Sequence, residues 1–285
     1  MSLRSLVNQL DLCSINTATL GHRLPVEQTL ELIARAGFGA IAPWRRDMEG
    51  RDLRKVGRQL RDSGLKVNAY CRSTYLTAQD SDGFKKSLLD NGNAIKEAAE
   101  LQADCFVMVV GGLPEGSKDI AGARAQVTEG ISLLREQARS HGIALALEPL
   151  HPMYAADRSC LSTLEQALDL CEQIEPQGFD SLGVAVDVYH CWWDPKLHGQ
   201  IERAGMQQRI LGLHVSDWLV PTRDMLLDRG MMGDGVIDLQ GIRHSVEAAG
   251  YRGPIEVEIF SRDRWWTLEE EHVLKTCAQR LQEVC

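Results

Sequence analysis

Four stretches in the second half of the chain decide the fold: IALALEPL (143–150), LGVAVDVYH (182–190), ILGLHVSD (210–217) and PIEVEIFS (254–261). Each reads as a strand, whose side chains alternate between two faces. Each also carries one residue able to bind a metal just before its C-terminal end: Glu148, Asp187, His214 and Glu258. The neighbours of these residues are large and apolar: Leu145 and Leu147, Val184 and Val186, Leu211 and Leu213, Ile255 and Val257. Those neighbours therefore share one face, while the polar residue takes the other, where Ala146, Ala185 or Gly212 stands two places earlier. Spacings of 39, 27 and 44 residues place one βα unit between each polar residue and the next. Buried together without a cation, three carboxylates would repel one another in a dry pocket. Carboxylates and an imidazole converging at one strand end, with positions left open for substrate, are what a divalent cation needs.

Outward from these segments the same alternation runs to both ends of the chain. Strands are expected in LCSINTAT (12–19), AIAPW (40–44), LKVNAYC (65–71) and DCFVMVVGG (104–112). Helical patterns follow at 25–38, 52–64, 84–102, 123–142, 163–174, 196–209, 239–251 and 272–284. Gly64, Gly142 and Gly250 fall at helix-to-strand turns, where a left-handed conformation is wanted. Eight strand–helix units predict an α/β fold, a (β/α)8 TIM barrel forming a single domain over residues 1–285. An open doubly wound sheet would show a Gly-rich phosphate turn after its first strand, and TATLGHR (17–23) has none. In a barrel the active site lies at the C-terminal mouth, where all four polar residues would meet.

Composition narrows the function. A net charge of −9 offers no basic stripe for phosphates, so no nucleic-acid partner is expected. Apolar runs such as CFVMVV fall far short of the roughly 20 residues of a membrane span, so no membrane partner is expected either. Eight cysteines lack CxxC pairs or close Cys/His zinc spacing, and no secretory start precedes them, which reads as reduced thiols in a cytoplasmic protein.

The segments LEPLH (147–151), VDVYHCWWDP (186–195), LHVSD (213–217), VEIF (257–260) and GDGVID (233–238) resemble the xylose isomerase-like TIM barrels of the sugar phosphate isomerase/epimerase family. The resemblance covers essentially the whole chain. It implies that Glu148, Asp187, His214 and Glu258 hold one divalent metal ion (Mn, Mg, Co, Fe or Zn), whose identity the residues leave open. It further implies Glu148 and Glu258 as catalytic bases on opposite faces of the substrate, with His190 contacting a substrate oxygen and Arg229 gripping substrate ahead of the GDG loop. A homo-oligomer acting on a small-molecule carbohydrate follows from the same likeness. The expected activity is a metal-dependent isomerase or epimerase of a sugar, inosose or small hydroxy-ketone, working by proton abstraction next to a carbonyl through a metal-stabilised enediolate. The alternative is a dehydratase or lyase of inosose, dehydroshikimate or 3-keto-glycoside type using the same site.

Other residues admit two readings. Glu256 shares the face of Glu258 one layer deeper and is expected to support the ligands. Asp217, three residues after His214, reads as a substrate or imidazole partner or as a loop cap. Trp44 reads as a stacking surface for substrate or as a packing residue, as do Trp192 and Trp193. His22 and His151 lie in mouth loops as possible donors, and Arg23, Arg45, Arg72 and Lys118 either bind a phosphate or face water.

Overall fold

The computed structural model describes residues 3–285. Strands and helices alternate along it: β1 (Cys13–Asn16), α1 (Val26–Arg35), β2 (Ala40–Ala42), α2 (Leu53–Asp62), β3 (Lys66–Val67), α3 (Ser81–Glu100), β4 (Cys105–Met108), α4 (Ile120–Ser140), β5 (Ala144–Leu147), α5 (Leu164–Ile174), β6 (Leu182–Asp187), α6 (Leu197–Met206), β7 (Ile210–Val215), α7 (Leu239–Ala248), β8 (Ile255–Val257) and α8 (Glu270–Val284). Local chemistry sets many of the boundaries. The Asp52, Thr163 and Asp238 side chains accept backbone N–H groups at the starts of α2, α5 and α7. Gly64 and Gly250, at φ 78° and 102°, take the left-handed turns that release α2 and α7 toward the next strand.

All paired strands are parallel, in the order β3-β2-β1-β8-β7-β6-β5-β4. The gap between β3 and β4 is closed by a parallel bridge at Tyr70 and Phe106. There Tyr70 N–H donates to Cys105 O (2.9 Å) and Val107 N–H to Tyr70 O (3.0 Å). The expected strand at 65–71 is thus regular only at Lys66–Val67 and resumes as isolated bridges at Tyr70 and Cys71.

Two packing layers follow from the alternation. Leu145, Leu147, Val184, Val186, Leu213, Ile255 and Val257 are buried against the helices in one large apolar cluster. The barrel interior holds a second cluster of mostly small residues, including Ala42, Ala69, Cys71, Cys105, Ala146 and Ala185. Small residues there leave room for polar groups above them. Leu211 departs from the expected outer face. A β-bulge shifts the register so that Val184 faces Ile210 while Ala185 faces Gly212, and the extra residue, Leu211, packs on the interior cluster. Among the described residues, no helix is long and apolar enough to cross a membrane.

Candidate metal centre and its cavity

Glu148 follows β5, Asp187 ends β6, His214 lies in β7 and Glu258 follows β8. Register alone brings two of them together, since Asp187 is the lateral partner of His214. Glu256 is the partner of His214 on its other side. All four predicted ligands are buried, and one ligand atom from each lies within 4.8 Å of the others. Gly212 makes space for this. A Cβ there would stand 3.1 Å from His214 Nε2.

The charges inside the cluster are arranged in two groups. His214 Nδ1 is 2.8 Å from Glu148 Oε1, and its Nε2 is 3.8 Å from Glu256 Oε2. Arg229 Nη1 donates to Asp187 Oδ2 (3.1 Å) and to Glu258 Oε2 (3.0 Å). The Arg229 guanidinium sits over the rings of Tyr189 and Phe260, at 4.4 and 4.9 Å. Burial pushes the Asp187 carboxyl up to about 6, against the opposing pull of Arg229. Burial likewise raises Glu258, with Arg229 again opposing and Glu148 adding to the rise. For His214, burial disfavours the charged ring, but Glu256 and Glu148 outweigh it and hold the pKa well above the ordinary value. His190 goes the other way, since burial and then Arg229 push it well below. Both ring nitrogens of His190 face donors, the His151 N–H (3.2 Å) and Arg229 Nη2 (3.0 Å).

Asn16 and Asn68 brace this cluster from β1 and the end of β3. Asn16 Nδ2 donates to Glu256 Oε1 (2.8 Å) and Glu258 Oε1 (3.0 Å), and Asn68 Nδ2 donates to Glu256 Oε2 (2.6 Å). Ser14 Oγ donates in turn to Asn68 Oδ1 at 2.5 Å. Glu256 accordingly supports the ligands from one layer below. Two Glu, one Asp and one His, buried, mutually close and held by second partners, form a donor set that fits a divalent cation.

Above the cluster opens a cavity of about 300 Å³. Its floor includes Glu148, His190, Arg229 and Glu258, and its walls include Trp44, Val109, Leu150, Phe260 and Trp266. Of the predicted substrate contacts, His190, Arg229 and Trp44 thus reach the cavity. Trp44 Nε1 donates to Asn16 Oδ1 (2.7 Å), which fixes the indole against the ligand-supporting network. His190 is carried in by a single helical turn, Val188–Cys191, where the Asp187 side chain accepts the Tyr189 N–H (2.8 Å).

Asp217 does not reach the cavity. Its carboxylate accepts the N–H groups of Trp218, Gly233, Gly235 and Ile237 at 2.9–3.1 Å, so it caps the loop after β7, and the substrate-contact reading gives way to the loop-cap one. Other mouth residues divide similarly. His22 lines the cavity and is paired with Asp47 (2.7 Å), whereas His151 stacks on Trp218 and supports His190 from behind through its N–H. Trp193 Nε1 donates to His190 O. Arg45 pairs with Asp90 and Arg23 with Glu270, Lys118 is exposed, and of that candidate set Arg72 alone lines the cavity. The sequence reading passed over Asn16, Asn68, Tyr154, Arg158 and Phe260. The one signal for Asn16 and Asn68 was an amide within the strand segments LCSINTAT and LKVNAYC.

Comparison with known proteins agrees with this fold. The family model described as xylose isomerase-like TIM barrel matches residues 30–283. The crystal structure of protein SMc04130 from Sinorhizobium meliloti superposes with a TM-score of 0.94 at 51% identity, covering 97% of this chain and 99% of that one. A 3-dehydroshikimate dehydratase of Pseudomonas aeruginosa is 28% identical over 258 residues, which is 87% of this chain, and the chain spans only 38% of that enzyme's length. An inosose isomerase of Halalkalibacterium halodurans is 24% identical over 217 residues, 74% of this chain and 72% of the isomerase.

Proposed function

The chain belongs to the xylose isomerase-like TIM barrel family, and from that premise we propose that it is a metal-dependent isomerase or epimerase of a sugar, inosose or small hydroxy-ketone. The observation that carries this reading is the pair Glu148 and Glu258, held at the ends of β5 and β8 on opposite flanks of the Asp187–His214 pair and both lining the cavity. Glu148, Asp187, His214 and Glu258 would hold a divalent ion, which supplies Lewis-acid polarisation of a substrate carbonyl. The protein's own groups then do the proton work. One glutamate takes the proton from the carbon next to the carbonyl, and the other, across the site, returns a proton to the opposite face or to the neighbouring carbon. His190 lines the cavity and offers its ring to a substrate oxygen. Arg229, pinned between two rings, keeps Asp187 and Glu258 oriented and presents positive charge to oxygen on the substrate. Trp44, Phe260 and Trp266 cover the substrate's less polar face and exclude water.

The likeness to a 3-dehydroshikimate dehydratase favours a second reading, in which the same deprotonation is followed by loss of water from the adjacent carbon. Metal content by elemental analysis, followed by a screen of ketoses, inososes and cyclic hydroxy-ketones in deuterated water, tests both. Isomerisation predicts deuterium at the carbon next to the carbonyl with no loss of water, and dehydration predicts an unsaturated product. Full exchange in Glu148→Gln and Glu258→Gln variants would remove both glutamates from the chemistry.

A further inference from the structure

The chain carries a net charge of −9, yet the rim of this cavity is cationic: Arg46, Arg72 and Arg158 all line it. Two of these guanidiniums are held in place without being neutralised. Arg72 lies 4.9 Å from the Tyr75 ring and 5.8 Å from the Trp44 ring, and its hydrogen bond goes to a carbonyl, Ser73 O (3.2 Å). Among the described residues no carboxylate pairs with it. Arg158 lies 5.5 Å from the Tyr154 ring, and the nearest carboxylate, on Asp157, is 3.8 Å away and largely exposed. Tyr75 packs on one small apolar cluster with Val109, Leu150 and Tyr154, the last three of which line the cavity, so the two arginines sit on rings of the same cluster. Elsewhere at the mouth, arginines are matched, as Arg45 is by Asp90 (2.7 Å) and Arg23 by Glu270 (3.0 Å). A guanidinium fixed on an aromatic face keeps its planar fork free, and that fork fits the two oxygens of a carboxylate or phosphate. Low-dielectric walls such as Val109 and Leu150 strengthen the attraction.

We propose that Arg72 and Arg158 form an anion subsite, and that the substrate of this cavity carries a carboxylate or phosphate group which they hold while its hydroxy-ketone end lies at the metal centre. The inference deepens the functional reading above and rests on it for the placement of the reacting end. The binding of the anion is separately measurable.

Calorimetric titration of the full-length protein with benzoate, phenyl phosphate and neutral benzamide tests it, because these probes share a ring and differ in charge. Either anion is expected to bind at least about tenfold more tightly than benzamide, and the anion preferred distinguishes a carboxylate substrate from a phosphorylated one. Arg72→Gln and Arg158→Gln should each abolish most of that preference, with Arg72→Lys restoring part of it, while unfolding curves verify that the variants are folded. Equal binding of charged and neutral probes, no binding of any, or an anion preference unmoved in folded variants would each overturn the proposal. Proton exchange on neutral hydroxy-ketones together with no anion preference sinks the subsite alone. Anion binding with no exchange on any compound sinks the isomerase reading alone.

Discussion

Asn16 within the site and Asp217 beside it are each held by several partners, and both make sharp predictions. Asn16 bridges Glu256 and Glu258 with one amide and accepts from Trp44 with its oxygen. Replacing it by Ala leaves both carboxylates short of a donor and frees the indole. Because partners of this kind tune ligand orientation, Asn16→Ala should weaken metal binding by about 10–100-fold. Titration against a chromogenic chelator measures this, and wild-type affinity would exclude the bracing role. Asp217 is the contrasting case. Its carboxylate satisfies four backbone N–H groups while being 1% exposed, so Asp217→Ala strands several donors and should cost about 3 kcal/mol of stability. Denaturant unfolding reads that loss, and a neutral effect would return Asp217 to the list of substrate contacts. The four candidate ligands were legible because each stands near the C-terminal end of a largely apolar strand segment. Asn16, Arg158 and Phe260 were not, because strand alternation gives a side chain's face and says nothing of which neighbouring strands and loops it meets there.

At the level of elements, the eight strand–helix units could be read from hydrophobic periodicity, and they recur with boundaries displaced by a few residues. Two features escaped that reading for one reason, since an alternating pattern assumes an unbroken ladder. The strand after α2 is interrupted, and β7 carries an extra residue at Leu211. The bulge has a visible cause at Gly183, where a Cβ would come within 2.4 Å of Arg209 O and 2.8 Å of the Leu211 side chain. Gly183 thereby admits the bulged strand, and the bulge restores the register that sets His214 beside Asp187. Gly183→Ala should therefore destabilise the protein by about 1–3 kcal/mol, through overpacking against backbone that cannot step aside. A thermal melt checks the cost. Gly212→Val acts on the site, because its side chain would crowd His214 Nε2 at 3.1 Å. It should lower metal affinity more than it lowers the melting temperature of the metal-free protein, and the reverse order would assign Gly212 to packing alone.

Across the whole molecule, charge is divided between the two ends of the barrel. The mouth gathers carboxylates whose ionisation burial opposes, and the opposite end, where strands begin, gathers carboxylates that are fully matched, as expected where residues serve stability. Glu247 there accepts from Arg4 and Arg243, tying the start of the chain to α7. Glu175, 4% exposed between α5 and β6, accepts from Arg209 (2.9 Å), Arg135 (2.7 Å) and the N–H groups of Asp180, Ser181 and Leu182. Burial alone would raise the Glu175 pKa, but the Asp180 N–H, Arg209 and Arg135 overcome it and hold the carboxyl below its ordinary 4.5. A carboxyl depressed in the folded state binds fewer protons there than in the unfolded chain. Its stabilisation is therefore complete above about pH 4.5 and fades as pH falls through the lower native value. Glu175→Ala removes this group and leaves the buried Arg209 uncompensated, at a cost of about 3–5 kcal/mol at pH 7. Below pH 4.5 the wild-type protein must lose its own share of that stabilisation, so the gap between the two should narrow steadily toward pH 3. Urea unfolding of both proteins across that range measures the gap. A gap that stays constant would mean that Glu175 contributes packing and not charge.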